Sequence, residues 1–65
     1  MIWEYEVNNI SKLVRFLDNE IGTEYEAIST ENHRVIIGGF VVVYDLTQSE
    51  HKKIRAFIDK NNLYK

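Results

Sequence analysis

The chain contains few side chains that could carry out catalysis or bind a metal ion. It has no cysteine and only two histidines, His33 and His51, which excludes disulfides, thiolate zinc sites and cysteine nucleophiles. Neither histidine belongs to a paired ligand motif such as His-x-x-x-His. His33 lies in a polar, turn-like stretch and His51 in the first turn of a predicted helix, where structural roles are usual. We therefore predict no metal and no cofactor, and we favour a protein that is not an enzyme.

Two pairs of glutamates, by contrast, recur at a spacing that has a structural meaning. Glu4 and Glu6 alternate with bulky residues, and so do Glu24 and Glu26. Alternate side chains of a β-strand point to the same face, so each pair is expected to look to solvent from one strand. Aligned on adjacent strands, the four carboxylates would form a row that mimics nucleic-acid phosphates or engages a basic groove. The sequence thus predicts an acidic binding face.

The stretch 33–45 predicts a β-hairpin. Its β-branched and aromatic residues favour strands, and Gly38-Gly39 can supply the positive φ angles of a two-residue turn between arms 33–37 and 40–45. Both arms are apolar without alternation with polar residues, so both faces of this hairpin need to be covered.

Successive side chains of the second arm point to opposite faces of the sheet. Phe40, Val42 and Tyr44 are expected on one face, and Val41 and Val43 on the other.

The flanking segments predict two helices and two further strands. Asn8 or Asn9 can cap a helix over 9–21, and Gly22 follows it where a left-handed residue is favoured. This helix has one apolar stripe, formed by Ile10, Leu13, Val14, Leu17 and Ile21. Thr47 and Glu50 match a capping box at the start of a second helix. That helix is expected to bury Ile54, Phe57 and Ile58. The alternating segments 2–7 and 24–29 predict strands.

The predicted architecture is a single α+β domain over residues 1–65, with two layers in the order β-α-β-β-β-α. An antiparallel three-stranded meander packs on the two helices, which cover one face of the sheet. The other face is expected to be uncovered and apolar. We assign to it Ile28, Ile36, Val41 and Val43, with Trp3 or Tyr5 nearby. Such surfaces mark interfaces, and a symmetric homodimer is the simplest closure. The alternative is that the amino-terminal arm folds across this face.

Size and charge are consistent with a binding role. A chain of 65 residues is near the lower limit for an unaided core, which favours a partner chain. Residues 1–31 hold seven acidic and two basic side chains (net −5), and residues 32–65 hold three acidic and six basic ones (net +3). This asymmetry indicates either an acidic and a basic interaction face or two halves that neutralise each other. No signal peptide or membrane span is evident, so we predict a cytoplasmic protein.

The predicted order of helix, three strands and helix resembles the core of double-stranded-RNA-binding domains and of small toxin ribonucleases of the HicA type. These toxins are similar to this chain in size and carry a catalytic histidine on the middle strand. The resemblance implies that His33, which opens the predicted middle strand, would act as a general acid or base on RNA. The glycine that precedes the histidine in those toxins is missing, since Glu31 and Asn32 stand before His33.

Two function classes follow. The favoured one is a small non-enzymatic inhibitor or adaptor, predicted to be a homodimer, that binds an unidentified protein partner; phage-encoded proteins that block host defences are of this kind. The alternative is an RNA-acting, toxin-like domain that uses His33. The net charge of −2 argues against nucleic-acid binding, because phosphate neutralisation dominates its affinity.

Overall fold

A computed structural model describes residues 2–29 and 38–64 of the chain. In chain order, its elements are strand β1 (Trp3–Val7), helix α1 (Ile10–Phe16) with a π-helical segment (Leu17–Ile21), strands β2 (Tyr25–Ser29) and β3 (Gly39–Val43), and helix α2 (Gln48–Lys60). The predicted α+β class, with a three-stranded antiparallel sheet and two helices, is confirmed. No helix in the described part of the chain combines the length and apolarity needed to cross a bilayer.

The sheet has β3 at its centre, between β1 on one edge and β2 on the other. Both pairings are antiparallel, and Val41 lies opposite Tyr5 of β1 and Ala27 of β2. The amino-terminal strand therefore pairs at an edge of its own chain's sheet. It does not fold across the uncovered face, which was the alternative raised by the sequence.

The predicted turn at Gly38-Gly39 is wrong. Gly39 is a residue of β3 and lies opposite Val7 on one side and Ser29 on the other. The strand 40–45 was expected to pair with the arm 33–37, but both edges of β3 are occupied by β1 and β2. The arm itself lies outside the described residues. Local glycine chemistry favours a short hairpin, whereas pairing with β1 and β2 joins the apolar sides of three strands in one core.

The first helix begins and ends where the sequence predicts. The Asn9 side chain accepts a hydrogen bond from the backbone N–H of Lys12 at 3.1 Å, and Gly22 closes the helix in the left-handed region with φ 78°. The last turn is wider than expected, because the Gly22 N–H donates to the Leu17 carbonyl at 2.7 Å, five residues back. The apolar stripe still reaches the core, where Leu13 and Leu17 are fully buried.

The second helix has the predicted capping box. The Glu50 N–H donates to Thr47 Oγ1 at 3.2 Å, and the Thr47 N–H donates to the Glu50 carboxylate at 3.0 Å. The Thr47 hydroxyl also donates to this carboxylate, and its bond and that of the Thr47 N–H lower the pKa of the Glu50 carboxyl. Beyond the helix, the chain folds back along the free edge of β1, where the Asn8 N–H donates to the Leu63 carbonyl at 2.9 Å and Val7 forms a bridge with Tyr64.

The buried residues that the structure describes form a core between the two helices and one face of the sheet. The sheet contributes Tyr5, Val7, Val41 and Val43 to it, and Val41 and Val43 are 0% exposed while Tyr5 is 4% exposed. The alternation predicted for β3 is correct, but the choice of the covered side is inverted. Val41, Val43 and Tyr5 were expected on the uncovered face. Alternation identifies the residues that share a face, and it does not identify the face on which the helices pack.

Candidate protein-binding site

The face of the sheet that points away from the helices has apolar side chains at its centre and carboxylates at its edges. The strand register places Val42 between Glu4 of β1 and Glu26 of β2. We call this surface the open face.

The next row of the open face is less acidic. Phe40 lies between Glu6 of β1 and Ile28 of β2. Phe40 and Val42 are half-buried, and Ile28 is 49% exposed. An apolar strip thus crosses the sheet from β3 to β2 and remains accessible to a partner. Phe40 and Val42 were not among the residues predicted for this surface. The strand itself carries no signal for them; the register with β1, which sets Val42 opposite Glu4 and Phe40 opposite Glu6, assigns them to this side.

The four predicted acidic residues all belong to this side. Glu4 and Glu6 lie on β1, Glu26 lies on β2, and Glu24 precedes β2 by one residue, two positions from Glu26. The Tyr44 N–H donates to the Glu24 carbonyl at 2.9 Å, which continues the pairing past the end of β2. The acids stand on the two outer strands with β3 between them, so they form two rims and not the single row that was predicted.

These carboxylates are accessible. All four glutamates are exposed, and none forms an ion pair with a side chain within residues 2–29 or 38–64. Opposite charges on a partner could therefore reach them without displacing an existing pair.

The other residues predicted for the uncovered face lie elsewhere. Ile28 is the one that the open face contains. Ile36 lies outside the described residues, and Val41, Val43 and Tyr5 are in the core. Trp3 points to the core side, where its ring stacks on His51 with 3.6 Å between ring centroids and 13° between ring planes.

His51 joins helix α2 to strand β1. Besides stacking on Trp3, its Nδ1 atom forms a hydrogen bond of 2.7 Å with the Tyr5 hydroxyl, the donor depending on the imidazole tautomer. Burial raises the pKa of Tyr5 to about 12, partly offset by the positive charge of Arg55. Burial, and then Arg55, lower the pKa of His51. Through these two contacts His51 links the first turn of α2 to β1.

Among the described residues, no group of three His, Asp or Glu side chains is placed to hold a metal ion. His33 lies outside the described residues. Among the described strands, the central one is β3 (Gly39–Val43).

Comparisons with protein-family models, with curated proteins and with solved structures found no match. The assignment of a function therefore rests on the open face itself.

Proposed function

We propose that this protein is a small non-enzymatic binding domain, an inhibitor or adaptor, whose open face binds a basic segment of a protein partner. The observation that carries the proposal is the row Glu4–Val42–Glu26, in which an apolar residue of the central strand stands between two exposed carboxylates. A segment that alternates lysine or arginine with apolar residues would match both features.

The two features have different physical roles. Burial of Phe40, Val42 and Ile28 would supply affinity through the loss of apolar surface to water, at about 25 cal/mol per Å². The carboxylates would select basic partners and accelerate encounter, since electrostatic complementarity acts mainly on specificity and association rate. The apolar strip by itself would accept many partners, and the acidic rims restrict the choice.

The acidic rims also bear on the homodimer predicted from the sequence. Packing two open faces together would bring the glutamates of one copy against those of the other, and opposed like charges are unfavourable. A basic partner meets no such repulsion. We therefore favour a hetero-association through the open face over a sheet-to-sheet dimer of this chain.

A defined peptide can test the proposal. The protein, labelled with ¹⁵N, is titrated with a heptapeptide of alternating lysine and valine, and amide shifts are followed by NMR. We expect saturable shifts at β3 and at the edge strands, weakened by added salt because exposed charges are screened. A peptide of alternating glutamate and valine is the control probe and should not bind. Shifts confined to the helices, or equal binding of both peptides, would refute the proposal.

A matched pair of variants makes the test specific. Glu26→Lys reverses a charge on the open face, and Glu20→Lys makes the same change at an exposed residue of the π-helical segment. We expect Glu26→Lys to weaken the binding of the lysine–valine peptide by about fivefold, equivalent to about 1 kcal/mol. Glu20→Lys should have little effect on this binding. Light scattering on the same samples reports association of the chain with itself. A stable dimer that Glu26→Lys strengthens would favour the homodimer instead.

A further inference from the structure

The outer surface of the helix layer has a groove between α1 and α2. Its floor is formed by Phe16 and Phe57, whose rings stack with 4.1 Å between centroids and 16° between planes. Both rings are half-buried. They pack the two helices against each other and also leave apolar surface exposed at the bottom of the groove. The sequence pattern placed Phe57 in the core and did not identify Phe16.

Cations surround this floor. Lys12 and Arg15 line one side from α1, and Lys53 and Lys60 line the other from α2. The two halves of the groove have volumes of about 300 Å³ and 350 Å³ and share Phe16, Phe57 and a single acid, Glu20. Four positive charges against one negative charge give this surface a sign opposite to that of the open face.

The cations are accessible to a ligand. All four are exposed, and within the described part of the chain none of them forms an ion pair. Lys53 contributes to the low pKa of Glu50, but less than the two hydrogen bonds that Glu50 makes with Thr47. An anion in the groove would therefore gain cationic neighbours without breaking a salt bridge.

We propose that this groove binds an acidic peptide segment of a protein, with an apolar side chain on the Phe16–Phe57 floor and carboxylates beside the flanking lysines and Arg15. Charge complementarity selects the anion, and the aromatic floor selects a peptide that also has an apolar anchor. The groove and the open face lie on opposite sides of the two-layer fold. The chain would then bind an acidic and a basic partner at the same time, as an adaptor does.

A protein segment fits these features better than a nucleic acid does. Nucleic-acid affinity comes mainly from many phosphate contacts along a positively charged track, whereas in this groove four cations are grouped around an apolar floor. The whole chain has a net charge of −2, which repels a long polyanion more than it repels a short acidic peptide.

The probes are a fluorescent heptapeptide that contains aspartate and glutamate around a central phenylalanine and leucine, a heptaglutamate of similar charge, and a decamer of uridylate. Fluorescence anisotropy is measured with the full chain. We expect saturable binding of the first peptide and at least fivefold weaker binding of heptaglutamate, because the latter has no apolar anchor. Equal binding of the two peptides, or no saturable binding, would overturn the proposal. Tighter binding of the uridylate would replace it with a nucleic-acid groove.

Adjacent lysines on α2 provide the matched variants. Lys53→Gln removes a cation from the groove, and Lys52→Gln removes one from an exposed position outside it. We expect Lys53→Gln to weaken the binding of the acidic peptide by several fold and Lys52→Gln to leave it unchanged. An equal loss of affinity in the two variants would indicate non-specific attraction and overturn the proposal. Phe57→Leu keeps an apolar side chain against the core. It should weaken the binding of the acidic peptide, while the urea midpoint stays close to that of the wild type. Glu26→Lys, on the open face, should leave the binding of the acidic peptide intact. The groove proposal and the open-face proposal can therefore be refuted independently.

Discussion

The two sides of β3 can be distinguished by removing the same atoms from adjacent residues. Val41→Ala and Val42→Ala each delete two methyl groups. Val41 is 0% exposed, so the loss is about 1.6 kcal/mol at about 0.8 kcal/mol per buried group. The cavity left behind adds roughly 1 kcal/mol. Val42 is half-buried on the open face, where the same deletion should cost about 1 kcal/mol or less.

Urea denaturation followed by tryptophan fluorescence measures this difference, because Trp3 is the one tryptophan of the chain. A domain of 65 residues typically has a free energy of unfolding of roughly 3–10 kcal/mol, so a loss of about 2–3 kcal/mol in Val41→Ala should move the midpoint strongly. The slope of the transition should stay the same in both variants, which shows that the denatured state is comparable. Equal losses, or a larger loss in Val42→Ala, would refute the assignment of the two faces.

Two further predictions concern the histidines. The pKa of His51 is lowered in the folded state, so the unfolded chain binds this proton more readily; the stabilisation is complete above pH about 6.5 and is lost as the pH falls through the folded value. The urea midpoint should therefore decrease as the pH is lowered from 7.5 to 5.5, and the decrease should be smaller in His51→Gln than in His33→Gln. An equal decrease of the midpoint in the two variants would contradict the contact of His51 with Tyr5 and Trp3. His33→Ala should leave peptide binding unchanged, whereas loss of an RNA-cleaving activity in that variant would establish the alternative function.

Several features of this fold are local and could therefore be predicted. Asn9 and Gly22 bound the first helix, and Thr47 and Glu50 begin the second, because side-chain oxygens and a left-handed glycine satisfy backbone groups within a few residues. The alternation of apolar and acidic residues in β1 is equally local. It was sufficient to predict that Glu4 and Glu6 share one side of their strand.

The candidate site was predicted only in part. The sequence identified the acids at its edges, but not the apolar residues at its centre, Phe40 and Val42. In a strand that is apolar on both sides, nothing in the strand itself indicates which side the helices will cover. The helix groove could not be predicted either, since it requires Phe16 and Phe57 from helices that are far apart in sequence to lie against each other.

The sequence by itself determined the α+β class, the helix caps, the absence of cysteine and the alternation within the described strands, because these depend on composition or on neighbours within one turn or one pleat. Tertiary structure decided that β3 lies between β1 and β2, that Val41 and Val43 are covered, and that the open face combines Phe40 and Val42 with two acidic rims. The physical reason is that the strand order and the choice of the covered face minimise the exposed apolar surface of the whole chain. That surface depends on how all the elements pack together, so it cannot be read from one segment.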